Sequence, residues 1–504
     1  MQKRSLRSAV LGRVPRRVAL TFVAAAAVLG HLSASPAATS AATAAPPSTK
    51  PNIVFILTDD MRLDDLRYLP HVRRLLGATG RTYTEAIAPD PLCCPSRASL
   101  VTGQFGQNNG VKHNAGRWGG YRALRHKSNT IARWLTDAGY QTLYTGKYLN
   151  GYDWEDGRTK ADTPRPPGWT VWDPVVKNVY SYWSGTFWNG DKFHGRYKTD
   201  VFTQRTVSAI DRFHASRKPF FLFVNQLAPH STELRNGSLS PAQYEPRYAR
   251  YLAGVKPPNH TWPSYNSATS GLPSSLNAPA ARAPRAVVER WASTWRDRLR
   301  ALQSVDRSVA RIVAELKATG ELDNTYLVFS SDNGYELGEH RRTGKNVVFK
   351  ESLRIPLLVR GPGIAAGTTS RTPVSLVDLA PTFLEWAGAH PGRVQDGLPL
   401  DQINPDRRDS LLIQTGDKVA DSTPGWWFRG VKTSRYTYAT YAGNGAQGLL
   451  YDHSIDPYET TNRYDDPAYR AVRAELQRRT EILERCAGAD CNQVFGPVPE
   501  PQAS

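Results

Sequence analysis

Cys93 and Cys94 stand in the run Leu-Cys-Cys-Pro-Ser-Arg-Ala-Ser-Leu-Val-Thr-Gly that ends at Gly103, so Cys93, Pro95 and Arg97 belong to a Cys-x-Pro-Ser-Arg pentapeptide. The chain has only four cysteines. Cys486 and Cys491 flank Ala-Gly-Ala-Asp, and in an exported chain that pair predicts a small loop closed by a disulfide. Adjacent cysteines rarely bond to each other, which leaves Cys93 and Cys94 over and predicts a separate chemical task for one of them. Taken alone, the pentapeptide reads equally well as a buried thiol beside a helix N-terminus. Two acidic groups change that balance. Asp59 and Asp60 close one apolar run, and Asp332-Asn333-Gly334 closes another. Three carboxylates and one amide make a hard, all-oxygen set suited to Ca²⁺ or, less well, Mg²⁺. Either group by itself would be a turn or a helix cap. Both at strand ends, with the cysteine loop between them, predict a metal site. No Cys/His cluster has zinc spacing, so zinc is not expected.

Such residues need a scaffold that gathers strand ends. Residues 52–57 are a continuous apolar, β-branched run, the pattern of a strand buried on both faces. Similar runs occupy 219–225, 326–331 and 355–360, and helical patterns occupy 96–102, 130–138, 201–215 and 286–319. Strands alternating with helices predict an α/β sandwich, and open α/β sheets place ligand sites where their strands end. Residues 151–195 are rich in Trp, Tyr, Pro and Gly, and 235–284 in Pro, Ser and Asn. Both read as long loops, either lids or surface insertions. Within the first, Tyr180, Tyr182, Trp183, Phe187 and Trp188 suit stacking on sugar rings, but ordinary packing beneath a loop is the better account. Beyond Leu412, residues 426–441 and 448–452 read as short antiparallel strands and 468–483 as a helix, a smaller sheet domain. The expected division is an export segment over 1–45, a catalytic domain over 46–411 and a C-terminal domain over 412–504.

The first of these regions carries Lys3, Arg4, Arg7, Arg13, Arg16 and Arg17 ahead of an apolar run from Val18 to Gly30, then a Ser/Ala/Pro/Thr stretch. That is the layout of an export signal, with Ala42-Thr43-Ala44 as one cleavage site. The apolar run falls short of the roughly 20 residues a bilayer span needs, so no stable membrane insertion is expected and the mature protein is placed outside the cytoplasm or in the cell envelope. The formal net charge of +19 falls, without the leader's six basic residues, to about +13. A basic surface favours anionic partners, and it equally serves solubility. No nucleic-acid recognition motif accompanies it. A content of 40% hydrophobic and 22% charged residues is that of a globular chain, which excludes disordered and fibrous classes.

In order along the chain, Asp59-Asp60, Cys93 to Arg97, Gly146-Lys147, Pro229-His230, Asp332-Asn333-Gly334, Gly344-Lys345 and Arg354-Ile355-Pro356 resemble the motifs of the type I sulfatases, in the alkaline-phosphatase-like superfamily. Leu450-Tyr451-Asp452 with Asp456-Pro457 and Glu459 resembles that family's C-terminal pattern. The resemblance implies a sandwich with a large mixed sheet flanked by helices, and a smaller C-terminal domain with an antiparallel sheet. It implies that a formylglycine-generating enzyme oxidises Cys93 to formylglycine (3-oxoalanine), whose hydrate attacks sulfur. Asp59, Asp60, Asp332 and Asn333 would then be calcium ligands with the modified Cys93 beside the ion. Arg97 would hold the hydrated aldehyde, and Lys147, His230 and Lys345 would contact sulfate. The physics agrees, since cations must spread the charge that develops in the transition state. A protonated His230 or Lys345 would donate to the leaving oxygen.

One position departs from the family pattern. Many members read Gly-Lys-Trp-His-Leu-Gly where this chain reads Gly146-Lys147-Tyr148-Leu149-Asn150-Gly151. Leu149 thus replaces a histidine, and Asn150 and His113 are the candidates for its duty. The variant run, the double cysteine and Leu357 to Gly363 resemble the N-acetylglucosamine-6-sulfatase branch, which implies a sulfated sugar or an aryl sulfate as substrate. Two alternatives remain: a phosphonate monoester hydrolase or phosphatase of the same superfamily, and an inactive exported protein that binds polyanions.

Overall fold

The structure is a computed structural model and describes residues 50–154, 157–233, 238–273, 276, 281–417, 425–442 and 447–502. The export segment expected over 1–45 lies outside them. Strand β1 (Asn52–Thr58) is buried throughout, and its side chains alternate between two cores. Ile53, Phe55 and Leu57 join one face, and Val54 and Ile56 the other. This is why the run is continuously apolar: a strand covered on both faces has no side for polar residues.

Nine further strands complete a mixed sheet around it: β2 (Arg81–Tyr83), β3 (Gln141–Gly146), β4 (Val171–Lys177), β5 (Ser184–Phe187), β6 (Lys192–His194), β7 (Phe220–Asn225), β8 (Thr325–Ser331), β9 (Leu357–Arg360) and β10 (Thr368–Ser370). Their spatial order is β10-β2-β9-β8-β1-β7-β3-β4-β5-β6. The block from β8 through β1, β7 and β3 to β4 is parallel, and β9 pairs antiparallel with both β8 and β2. Helices α1 (Cys93–Thr102), α2 (Ile131–Asp137) and α5 (Leu379–Ala387) supply residues to one core. The other core takes α3 (Lys198–Ala215) and α4 (Arg285–Ala318). The α4 stripe Trp295, Leu299, Leu302, Val305, Val309, Ile312 and Leu316 recurs at helical spacing and is buried. Each such side chain adds roughly 1.5–3 kcal/mol by leaving water.

The reading of 151–195 as loop is corrected: β4, β5 and β6 lie there and extend the sheet by three strands. Their apolar positions are few and interrupted by Gly, Asn and Trp, so no period of two stands out over so short a length. Tyr182 and Phe187 are buried, as the packing account of that aromatic group expects. Residues 238–273 stay irregular apart from the short pair Leu239–Ser240 with Thr232–Glu233 and two 3₁₀ turns. The C-terminal sheet is antiparallel in the order β11 (Leu411–Gly416), β12 (Trp426–Lys432), β13 (Tyr436–Tyr441), β14 (Gly448–Asp452), with α6 (Arg470–Leu483) following. It shares a core with the sandwich through Val348, Phe349 and Leu353 on one side and Ile413, Phe428 and Tyr451 on the other. Cys486 and Cys491 form the predicted disulfide, while Cys93 and Cys94 are free and buried.

Candidate active site

Four adjacent parallel strands end at one place. Thr58 pairs with Ser331, Leu57 with Asn225, and Gly146 with Asn225, so Asp59, Asp332, Asn225 and Lys147 emerge side by side from β1, β8, β7 and β3. Asp60 adopts a left-handed backbone (φ 71°), which breaks the strand's alternation so that consecutive carboxylates need not face opposite ways. Gly146 has φ 109°, and a Cβ there would lie 1.8 Å from the Asn225 carbonyl oxygen. Only glycine lets β3 turn Lys147 into the site so close to β7.

Helix α1 brings the other half. Cys93 opens the helix, and Asn114 Oδ1 accepts a hydrogen bond from the Cys94 amide at 2.8 Å. Arg97, one turn on, lies on the same face as Cys93. Its Nε donates to Asp332 Oδ2 at 2.8 Å, and its Nη2 lies 3.3 Å from Asp59 Oδ2. Its Nη1 donates to the Lys147 carbonyl at 2.9 Å and to Asn225 Oδ1 at 3.0 Å. Lys147 Nζ sits 2.5 Å from Asp59 Oδ2. Lys345 Nζ lies 2.7 Å from Cys93 Sγ and pairs with Asp60 Oδ1. Cys93 Sγ in turn is 3.4 Å from Asp59 Oδ1.

These contacts set the charges. Burial would raise the Asp59 carboxyl, but Lys147, His230 and Arg97 overcome it and hold Asp59 well below the usual carboxylate range. Asp60 is lowered likewise, burial being outweighed by Lys345 and His230. Asp332 is pushed up to about 6 by burial and by the charge of Asp59. Despite burial, Lys147 and Lys345 are held protonated, Lys147 mainly by Asp59 and Lys345 mainly by Asp60. Burial, with Asp59 beside it, pushes the Cys93 thiol up to about 12, so the thiol is neutral and a poor nucleophile.

His230 arrives on the turn after β7. Its Nδ1 donates to the Ser231 carbonyl at 2.6 Å, which leaves Nε2 as the free lone pair, 3.8 Å from Asp60 Oδ2. Burial pushes the ring down to about 4, against the pull of Asp59 and Asp60, which favours the neutral ring with Nε2 as an acceptor. Asp59, Asp60, Cys93 and His230 present ligand atoms all within 4.8 Å of one another, a candidate metal site. Asn333 Nδ2 donates to Asp60 Oδ1 at 2.8 Å, and its Oδ1 is buried without a partner. Asp332 is turned toward Arg97 and toward the Asp60 amide, whose nitrogen is 3.1 Å from Asp332 Oδ1.

Comparison with known proteins matches residues 51–389 to the Sulfatase family model. The chain belongs to the sulfatase family. Residues 338–485 also match the C-terminal model of N-sulphoglucosamine sulphohydrolase. The human N-acetylglucosamine-6-sulfatase is 32% identical over 499 residues, 89% of this chain and 87% of that protein. The extracellular sulfatase SULF-1 homolog of Drosophila melanogaster is 34% identical over 405 residues, 74% of this chain but 34% of the relative, so this chain spans about a third of that protein. A solved structure described as in complex with its substrate, D-glucosamine-2-N,6-O-disulfate, superposes with a TM-score of 0.68 at 24% identity, covering 86% of this chain and 97% of that one. Among the described residues no helix is long and apolar enough to cross a membrane.

Asp59, Asp60, Cys93, Arg97, Lys147, His230, Asp332, Asn333 and Lys345 all lie in this cluster of the sulfatase-family chain, whereas His113 does not. Three contributors were not foreseen. Asn225 anchors Arg97. Arg298 of α4 donates to the Asp60 carbonyl and, at 3.3 Å, to that of Pro229. Tyr180 stacks on His230 with ring centroids 4.9 Å apart, and Lys147 Nζ lies 5.0 Å from its centroid. Only Tyr180 had left a signal, as a member of the aromatic group in 151–195. Leu149, where the family's histidine commonly stands, is buried in the apolar core. Asn150 donates to the Tyr180 hydroxyl at 3.0 Å, and His113 Nδ1 accepts from the Ala115 amide at 3.4 Å.

Proposed function

We propose that this chain hydrolyses sulfate esters of sugars outside the cytoplasm, N-acetylglucosamine 6-sulfate among them, with a nucleophile made from Cys93. The observation that carries the reading is the convergence of Cys93, Arg97, Lys147 and Lys345 on the Asp59-Asp60 pair in a member of the sulfatase family. The sugar assignment draws on the human relative's name and on the disulfated glucosamine of the structural neighbour. In this reading residues 46–411 carry the chemistry, 412–504 form a smaller supporting domain, and 1–45 direct export.

Lys147 and Lys345 bind the negative sulfate oxygens and are already ordered, so the charge that grows during reaction meets donors that need not reorganise. Lys345 is also the protonated group closest to residue 93 and is placed to give its proton to the leaving oxygen. Arg97 fixes the start of α1 against Asp59 and Asp332. His230 offers Nε2 as an acceptor, and the Tyr180 ring packs against it. Asp59, Asp60, Asp332 and Asn333 would hold a Ca²⁺ ion, and the buried, unpartnered Oδ1 of Asn333, whose Nδ2 already reaches Asp60, suits that hard cation. When bound, such an ion supplies Lewis-acid polarisation of a sulfate oxygen. The aldehyde that a formylglycine-generating enzyme makes from Cys93 supplies, as its hydrate, a nucleophile that can be regenerated, which a serine cannot.

Peptide mass spectrometry tests this directly. Active protein should carry residue 93 about 18 Da lighter than cysteine, the difference between CH₂SH and an aldehyde. Unmodified Cys93 in fully active enzyme would overturn the nucleophile. Matched aryl sulfate and aryl phosphonate esters test the reaction, and faster turnover of the phosphonate would favour a phosphonate hydrolase instead.

A further inference from the structure

Three residues past Asn333 begins a second group of buried ligand-type side chains that the chemistry above does not use. Glu336, His340 and Glu351 present one ligand atom each, all within 4.8 Å of one another. Glu336 is 1% exposed, and neither of its carboxylate oxygens has a hydrogen-bond partner. Both Glu351 oxygens are likewise without one, with Lys350 Nζ 3.7 Å from Oε1 and His340 Nε2 3.8 Å from Oε2. A buried carboxylate left in this state is destabilising unless a proton or a cation neutralises it.

The imidazole supplies an independent sign of what that neutralising group is. His340 is 1% exposed, its Nδ1 lies 2.7 Å from Thr269 Oγ1, and its ring stacks on Phe349 with centroids 3.8 Å apart. One nitrogen and the ring plane are thus fixed, and the other nitrogen, Nε2, faces the carboxylates with no hydrogen-bond partner. A ligating histidine is held this way, its second nitrogen tied by a hydrogen bond so that the first points at the ion. Around the group, Glu459 Oε2 accepts from the Lys350 amide at 2.8 Å while its Oε1 has no hydrogen-bond partner and lies 3.7 Å from His453 Nε2. The buried Tyr451 hydroxyl is also without a partner. Arg62, the nearby guanidinium, is committed to Glu339 at 2.7 Å and to Asp64 at 2.8 Å.

We propose that Glu336, His340 and Glu351 hold a second divalent cation, of the borderline class that accepts mixed imidazole and carboxylate donors, such as Mn²⁺ or Zn²⁺. The mixed donors set it apart from the harder ion of the first site. Its ligands bracket residues 336–351, the loop that carries Lys345, so the ion clamps both ends of the segment that delivers a sulfate-binding lysine. Glu351 and Phe349 also lie where the sandwich meets the C-terminal sheet, through Phe349 and Tyr451.

The test is metal analysis of the full-length protein reconstituted with Mn²⁺ or Zn²⁺ and then desalted. Wild type should retain one equivalent that Glu336→Gln and Glu351→Gln both lose, while Asp332→Ala keeps it. Equal Mn²⁺ or Zn²⁺ content in wild type and in both Gln variants would overturn the proposal. Should the variants fail to fold, anomalous scattering at the metal edge from crystals of the unmodified protein decides the matter. A peak between Glu336, His340 and Glu351 supports the site, and its absence after reconstitution refutes it.

Discussion

Asp332 and Glu336 lie four residues apart and are equally buried, yet the two acidic groups they belong to are built on opposite plans. In the first, protein cations stand against the carboxylates: Lys147 and Arg97 on Asp59, Lys345 on Asp60, Arg97 on Asp332. In the second, among the described residues, Glu336 has no such neighbour within ion-pair distance, and Glu351 has Lys350 at 3.7 Å and the His340 ring at 3.8 Å. The consequence is visible in protonation. Asp59 and Asp60 are held ionised against the pull of burial, whereas burial, with Glu351 beside it, pushes Glu336 well above the usual range. Burial by itself therefore says nothing about the charge of an acid. The lesson is that a site built to meet an anion carries its own cations, and a site that lacks them leaves room for one from outside.

The contrast can be broken most forcefully through stability. In thoroughly chelated protein, Asp59→Asn leaves Lys147 without its counter-charge and Arg97 with Asp332 alone, and should cost about 3–5 kcal/mol in denaturant unfolding. Glu336→Gln in the same protein replaces a carboxyl that burial drives toward its neutral form and should change stability by less than about 1 kcal/mol. Equal losses for the two variants would mean that the groups do not differ in charge balance. The next effect is on rate. Lys147→Ala in fully modified enzyme should lower kcat by roughly 10²-fold or more, the loss expected on removing one preorganised donor, whereas a merely solvated lysine would leave kcat unchanged. Smallest is Tyr180→Phe, which keeps the ring against His230 but deletes the hydroxyl that Asn150 contacts. A neutral hydrogen bond is worth about 0.5–1.5 kcal/mol, so kcat/KM should fall by about tenfold at most. A larger loss would show that the hydroxyl takes part in the chemistry.

Much of the first site was legible before any fold was known, and almost none of the second. The first rests on short runs whose residue types are unusual in order: Cys93 to Arg97, Asp59-Asp60 and Asp332-Asn333. Strands β1, β7 and β8 were legible for a related reason, since a parallel strand buried on both faces must be apolar without interruption. Strands β4 to β6 were missed because their periodicity is weak and their turns are close together. The second group has no local signature. Glu336 and His340 are four residues apart in a short hairpin, Glu351 follows eleven residues later, and Glu459 comes from the segment after β14.

Sequence alone determined the family resemblance, the Cys93 to Arg97 run, the acidic pairs at the strand ends and the terminal disulfide, because each depends on residue type within a few neighbours. The tertiary structure decided the state in which those residues work. It chose which cation neutralises which carboxylate, buried the His230 ring so that its charged form is disfavoured, and set Tyr180 against both His230 and Lys147. It also tied Arg298 to the Asp60 carbonyl across 238 residues of chain. Protonation and orientation depend on burial and on partners distant in sequence, and no local pattern carries either.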